Sequence, residues 1–131
     1  AYPYYSVCTT STHDMSGIRQ WWREDRATTQ DYWNNVMHRQ GEAPVDATPE
    51  ICRDIIGRSL ASPSMLCILP LQDWLATDAA LRRDNPEEEV INIPARSGHY
   101  WRYRMHLCVE DLEASTYFNS SMRNMIELTK R

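Results

Sequence analysis

The chain has 131 residues, enough for one modest domain and too few for two independent cores. Its 14 Lys and Arg residues against 18 Asp and Glu residues give a net charge of −4, which excludes the global basic field that attracts nucleic acid. No run approaches the roughly 20 apolar residues that span a bilayer, and no leader-like region opens the chain, so we expect a soluble cytoplasmic protein with no membrane partner. We treat 1–131 as a single segment.

The first predicted element is a strand over 4–10, where β-branched and aromatic residues alternate with small ones. Hydroxyl residues then lead to His13-Asp14, so the whole strand end spans 4–14. An imidazole beside a carboxylate at this place is typical of a catalytic strand end in a β/α protein. The alternative is that Asp14 or Ser16 is only a helix N-cap and His13 a surface residue, and the local pattern alone favours it.

Three helices are predicted over 16–62, which forms a helical excursion between two strands. Their expected starts are capping residues, at Ser16, at Thr28 or Thr29, and at Thr48-Pro49-Glu50. In the first helix Trp21 and Trp22 are interpreted as core residues rather than a ligand platform. The second helix is expected to fade near Gly41, because glycine offers a C-terminal cap, and Ser62-Pro63 ends the third.

A second strand is predicted within 64–69, where the apolar run Met65 to Leu69 is bounded by prolines. A continuous apolar run of this length is typical of a strand buried on both faces in a parallel sheet. A short helix is expected after Pro70, followed by a charged linker in which Glu87 to Glu89 forms a solvated run.

The C-terminal loop and helix occupy 77–131, with an extended stretch over 90–94 and a last helix near 115–128. Between them, aromatic and cationic residues alternate densely over 99–106, which suggests either a basic aromatic binding strip or a well-packed corner. For Arg104 and His106 the packed corner is favoured.

The cysteines and histidines suggest no metal or cofactor. The four cysteines, at 8, 52, 67 and 108, form no Cys-x-x-Cys and are interpreted as small buried hydrophobes of a reducing compartment. His13, His38, His99 and His106 have no ligand-like spacing.

Two parallel strands cannot form a covered sheet by themselves, because their outer edges and apolar faces need more partners. A strand, a helical excursion, a second strand and a closing helix fit the C-terminal portion of a (β/α)₈ TIM barrel, an α/β fold. The chain alone should therefore be rich in helix. In such a barrel His13-Asp14 and Gln72-Asp73 would share the catalytic rim.

Several ordered motifs resemble the C-terminal part of 4-α-glucanotransferases of the amylomaltase and disproportionating-enzyme family. The longer form, with starch-binding modules ahead of its barrel, is the most similar. The motifs are Thr10-Ser-Thr-His-Asp14, Ile18-Arg-Gln-Trp-Trp22, Ile68-Leu-Pro-Leu-Gln-Asp73, Glu88 to Pro94 and His99-Tyr-Trp-Arg-Tyr-Arg104. Together they span nearly the whole chain.

The resemblance implies a retaining transferase that acts on α-1,4-glucans and maltooligosaccharides through two carboxyl groups. It implies that His13 and Asp14 hold the donor sugar, and that Asp14 stabilises the oxocarbenium-like transition state. Gln72 and Asp73 match the turn after the last strand and are candidate substrate-binding residues. Trp101, with its neighbour Arg102, is expected to be structural support.

The family's nucleophile and acid/base come from earlier strands, outside this chain. Glu24, Asp25, Asp31 and Glu50 lie on predicted helix surfaces and do not replace them. We therefore expect the chain alone to be inactive, and its partner to be the rest of the barrel or a second copy meeting it at exposed strand edges. The alternatives are a self-standing helical interaction module that uses 99–106, or a fragment of another α-glycosidase barrel.

Overall fold

A computed structural model describes residues 2–131 and contains two short parallel strands among helices. The elements in chain order are β1 (Val7–Cys8), α1 (Ile18–Glu24), α2 (Arg26–Asp31), α3 (Pro49–Leu60), β2 (Leu66–Cys67), α4 (Leu71–Leu75), α5 (Val109–Ala114) and α6 (Thr116–Leu128). A π-helical turn, Tyr32–Val36, extends α2, and a 3₁₀ turn, Pro86–Glu89, lies between α4 and α5. Among these helices, none has both the length and the apolar character needed to cross a membrane.

The predicted parallel pairing of the two strands is confirmed. Val7 pairs with Leu66, and Cys8 pairs with Cys67. Each strand contributes only two residues, so the ladder is much shorter than the predicted strands over 4–10 and 64–69.

The prediction that the second strand is buried on both faces is wrong for this chain. Cys67 and Leu69 pack against the helical core, whereas Leu66 is exposed and Ile68 is 60% exposed. The helices cover one face of the sheet, and within residues 2–131 no element covers the other.

The core lies mainly between α1 and α3. Trp22 of α1 is fully buried, and its Nε1 donates a hydrogen bond to the Pro44 carbonyl at 2.8 Å. Ile51 and Ile56 of α3 are equally buried, and Trp21 packs against the cluster from its edge. The interpretation of both tryptophans as core residues therefore agrees with the structure.

The first helix begins differently from the prediction. Gly17, not Ser16, is the N-cap residue, and the Ser16 hydroxyl instead donates to Glu24. The Ile18 amide donates to the Asp73 carboxylate at 2.9 Å, so the cap of α1 comes from a residue far along the chain. A local sequence pattern cannot show such a partner.

The starts of α2 and α3 are capped by residues close by in the sequence. Asp25, predicted to lie on the surface of the first helix, caps α2 by accepting the amides of Ala27 and Thr28, so α2 starts earlier than predicted. The helical segment ends at Val36, before Gly41; His38, with a φ of +55°, is the first left-handed residue after it, and Gly41 is left-handed as well, with a φ of +81°. The predicted start of α3 is confirmed, since Thr48 accepts the Ile51 amide at 3.3 Å.

The charged linker is less solvated than predicted. The Glu89 side chain is only 8% exposed and forms an ion pair with Arg19 of α1, which is 5% exposed. The 3₁₀ turn therefore packs against α1 and buries the last of its three glutamates, while Glu87 and Glu88 remain exposed.

The cysteines occupy three different environments. Cys52 is buried, as predicted, whereas Cys8 and Cys67 are half-buried. Cys108 is exposed, so its interpretation as a buried hydrophobe is wrong. It lies at the N-cap of α5, a short helix that the sequence did not indicate.

Candidate functional site

The His13-Asp14 turn lies beyond β1 and faces solvent. The two side chains are 49% and 50% exposed, and His13 Nε2 lies 3.3 Å from Asp14 Oδ2. The carboxylate can accept hydrogen bonds from the hydroxyl groups of a ligand, and the imidazole N–H can donate one to them.

Asn92 holds this turn from the extended stretch that follows the 3₁₀ turn. Its side-chain amide donates to Asp14 Oδ1 at 2.5 Å, and its backbone amide donates to the His13 carbonyl at 3.2 Å. Both residues of the pair are therefore fixed by one asparagine. Sequence reasoning missed Asn92; its only signal was its position within the motif Glu88 to Pro94.

Trp101 lies against His13. The two rings have their centroids 4.9 Å apart and are tilted by 53°. Trp101 is nevertheless exposed, so part of its indole remains available beside the pair. The contact restricts the orientation of the His13 ring, and the supporting role that the resemblance implies for Trp101 stays a prediction.

Asp73 is the most enclosed carboxylate near the pair, with 2% of the residue exposed. Oδ2 accepts the hydroxyls of Thr10 and Ser11 at 2.5 and 2.9 Å, and Oδ1 accepts the Ile18 amide at 2.9 Å. Asp73 therefore ties the end of β1 to the start of α1. Gly17 permits this approach, because a Cβ there would lie 3.0 Å from Asp73 Oδ1.

Gln72 precedes Asp73 in α4, the short helix that follows β2. It lines a small pocket together with Thr12 and His13, and Asp73 forms part of the wall. The structure thus places His13, Gln72 and Asp73 around one pocket, while Asp14 lies beside His13 and faces a neighbouring hollow.

The remaining acidic residues considered in the sequence have other partners. Asp25 caps α2, Asp31 accepts the Asn35 side-chain amide at 2.6 Å, and Glu50 forms an ion pair with Arg39. Glu24 lines a hollow that also contains Asp14, but it accepts the Ser16 hydroxyl. Among residues 2–131 no three His, Cys, Asp or Glu side chains are grouped as a metal site would require.

The aromatic and cationic segment over 99–106 is attached to the rest of the chain at a few points, and most of its side chains are exposed. His106 Nε2 lies 2.7 Å from the Leu81 carbonyl, and the Arg104 guanidinium donates to the Tyr103 carbonyl at 3.0 Å. Arg83 lies over the Tyr103 ring at 5.8 Å. The segment is thus held at Tyr103 and His106, while Arg104 and His106 stay exposed and do not form the closely packed corner expected for them.

Comparisons with known proteins point to one family. A family model described as 4-alpha-glucanotransferase matches residues 1–110. The chain is 33% identical over 130 residues to 4-alpha-glucanotransferase DPE2 of Oryza sativa subsp. japonica. This alignment covers 99% of the chain and 14% of the rice protein. The chain is 29% identical over 122 residues to a 4-alpha-glucanotransferase of Chlamydia pneumoniae, covering 92% of this chain and 23% of that protein.

A solved structure has the same fold over this region. The amylomaltase from Streptococcus agalactiae, determined in complex with acarbose, superposes with a TM-score of 0.71 at 22% identity. The match covers 99% of this chain and 23% of the amylomaltase. The chain therefore spans less than a quarter of the length of each of these three relatives.

Proposed function

Since the chain belongs to the 4-alpha-glucanotransferase family, we propose that it forms part of a retaining enzyme that transfers α-1,4-glucan segments between maltooligosaccharides or polysaccharides. The observation that carries this proposal is the exposed His13-Asp14 pair at the end of a parallel strand, inside the matched residues. Carboxyl ends of parallel strands are where β/α barrel enzymes place their reacting groups.

We propose that β1 and β2 are the last two strands of a (β/α)₈ barrel. They are parallel neighbours, and in such a barrel the turns that follow them, His13-Asp14 and Gln72-Asp73, would share one rim. In support, His13, Gln72 and Asp73 line one small pocket, and Asp14 adjoins His13. Their uncovered face, with Val7 and Ile68 56% and 60% exposed, is where the rest of such a barrel would pack.

In this proposal Asp14 and His13 hold hydroxyl groups of the donor sugar. As positive charge develops on that sugar in the transition state, hydrogen bonds to the Asp14 carboxylate strengthen, which lowers the barrier. Asn92 and Trp101 act as positioning residues, because Asn92 fixes one oxygen of Asp14 and Trp101 restricts the His13 ring.

Gln72 and Asp73 take different roles at the rim. Gln72 stands beside His13 in the shared pocket and is the better candidate for a substrate contact. Asp73 has both oxygens engaged by protein donors and is nearly inaccessible, so we assign it a positioning role at the strand end.

The nucleophile and the acid/base are proposed to lie outside this chain. A retaining mechanism needs two carboxyl groups about 5 Å apart across the scissile bond. Of the acidic residues discussed above, Asp25 caps a helix, and Asp31, Glu50 and Glu24 accept hydrogen bonds from neighbouring side chains, so we assign none of them a reacting role beside Asp14. The chain alone should therefore bind sugar weakly and transfer none.

The test is an assay of the purified 131-residue chain with maltotriose, following glucose release and longer products. The expected rate equals that of an Asp14→Ala variant, which serves as the matched background control. Disproportionation by the unaltered chain well above that background would contradict the proposal that the reacting carboxyl groups lie elsewhere.

A further inference from the structure

Cys8 and Cys67 stand directly opposite each other in the two-stranded sheet. Neighbouring strands lie about 4.8 Å apart, and paired residues of a parallel ladder carry their side chains on the same face. Disulfides bridge Cα atoms that are about 4.4 to 6.8 Å apart. The backbone therefore already holds these two cysteines at a spacing that a disulfide accepts.

The two thiols are neighbours on the ladder and lie in a different environment from the other cysteines. Both are free and half-buried, and burial together with the neighbouring Cys8 thiol raises the pKa of Cys67. By contrast, Cys52 lies in the core, where burial raises its pKa to about 12, and Cys108 is exposed at the start of α5. Cys8 and Cys67 thus form the chain's one pair of adjoining thiols within residues 2–131.

We propose that Cys8 and Cys67 are a dithiol site that small disulfide oxidants convert to an interstrand disulfide. One cysteine thiolate attacks the oxidant's disulfide, whose S–S bond breaks and releases one reduced thiol. The second cysteine thiolate then attacks the mixed disulfide and releases the other reduced thiol. Two protons and two electrons leave the protein, and the oxidant is reduced to two thiols.

The cross-link would fix the register of the sheet. It joins β1 to β2 and closes the segment that contains α1, α2 and α3. Residues that follow these strands, His13-Asp14 and Gln72-Asp73, would share the rim proposed above, so oxidation would lock the two sides of that rim together. The inference depends on the strand pairing and is independent of the proposed transferase activity.

The test uses oxidised glutathione as the oxidant and the native 131-residue chain. After incubation, free thiols are alkylated and the digested chain is examined by mass spectrometry. We expect a Cys8–Cys67 linked peptide as the dominant cross-link, with glutathione on Cys108 and no reaction at Cys52. When the free thiols of the native chain are titrated, those of Cys8 and Cys67 should disappear together, in addition to that of Cys108. Dithiothreitol should restore all of them.

Two variants make the result specific. Cys8→Ser should abolish the linked peptide and leave a glutathione mixed disulfide on Cys67, whereas Cys52→Ser should leave the cross-link intact. As a second measurement, phenylarsine oxide, which bridges adjoining thiols, should protect both cysteines in the native chain from alkylation.

The proposal is overturned if Cys8 and Cys67 each carry glutathione without a link, or if either links mainly to Cys108. It is equally overturned if both thiols stay unmodified and unprotected while Cys108 reacts. The unaltered chain alone gives these outcomes, so the result does not depend on whether a serine variant folds.

Discussion

At the scale of single residues, Asp14 and Asp73 show how burial separates two carboxylates that both follow a strand. Asp14 is half-exposed, with one oxygen held by Asn92. Asp73 is enclosed and accepts three hydrogen bonds from the end of β1 and the start of α1. A carboxylate that faces solvent is free to meet a ligand, whereas one saturated by protein donors contributes to stability.

The same substitution should therefore have different effects at the two positions. Asp73→Asn replaces one acceptor oxygen by an NH2 group, which cannot accept the hydrogen bonds donated to that oxygen. This change should lower the free energy of unfolding by about 2–3 kcal/mol. Asp14→Asn should change it by less than about 0.5 kcal/mol, as is usual for exposed positions. Urea unfolding of both variants measures this. Equal losses would show that Asp73 does not hold the strand end.

At the scale of elements, the sequence predicted features with local causes and missed those with distant ones. The start of α3 was predictable because Thr48 caps an amide three residues on. The start of α1 was not, because its capping partner is Asp73, which lies beyond two further helices. The last glutamate of the acidic run looked solvated because its partner, Arg19, lies far away in the sequence.

The candidate site divides in the same way. His13 and Asp14 are adjacent in sequence, so their pairing at a strand end could be predicted. Asn92 and Trp101 contact the pair only because the chain folds back towards it, and the local sequence around either residue does not predict these contacts. The lengths of the strands were also unpredictable, because a ladder depends on its neighbours rather than on its own residues.

The 3₁₀ turn offers a matched pair of glutamates for testing the buried ion pair. Glu89→Ala removes the acceptor of the enclosed Arg19 guanidinium and should lower the free energy of unfolding by about 3 kcal/mol. Glu88, whose pair with Arg83 is 57% exposed on the glutamate side, should lose less than about 1 kcal/mol on the same change. Denaturant unfolding of the two variants compares them, and similar losses would contradict the account.

The ion pair also predicts a pH dependence. Burial raises the pKa of Glu89 above its ordinary value of 4.5, although Arg19 opposes that shift. The folded state therefore keeps the Glu89 proton longer than the unfolded state does. The contribution of Glu89 to stability should fall as the pH rises from 4.5 through the raised pKa, and be constant below 4.5. Glu89→Gln should lack this slope when unfolding is measured across the same range.

At the scale of the whole molecule, a helical core covers one face of a short sheet and leaves the other face open. The uncovered face includes Val7 and Ile68, which are 56% and 60% exposed. Contiguous apolar surface of this kind favours association with another protein surface. This open apolar face agrees with the finding that the chain spans less than a quarter of the length of its three relatives.

The isolated chain should therefore bind a hydrophobic dye or form dimers through this face. Ile68→Lys should reduce dye fluorescence or dimer formation with little change in stability, because the side chain is already exposed. Val45→Lys, at an exposed position in the loop before α3, is the matched control and should change neither. Dye fluorescence and sedimentation of the three proteins distinguish these cases. An unaltered chain that is monomeric and binds no dye would show that the open face is not an interaction surface.

We propose that Asp14 stabilises the transition state of a glucan transferase whose reacting carboxyl groups lie elsewhere. The most direct measurement is the turnover of maltotriose by the complete enzyme with and without Asp14→Asn. We expect kcat to fall by roughly 100- to 1,000-fold while the unfolding transition is unchanged. Near-normal turnover in the folded variant would contradict it and remove Asp14 from the site.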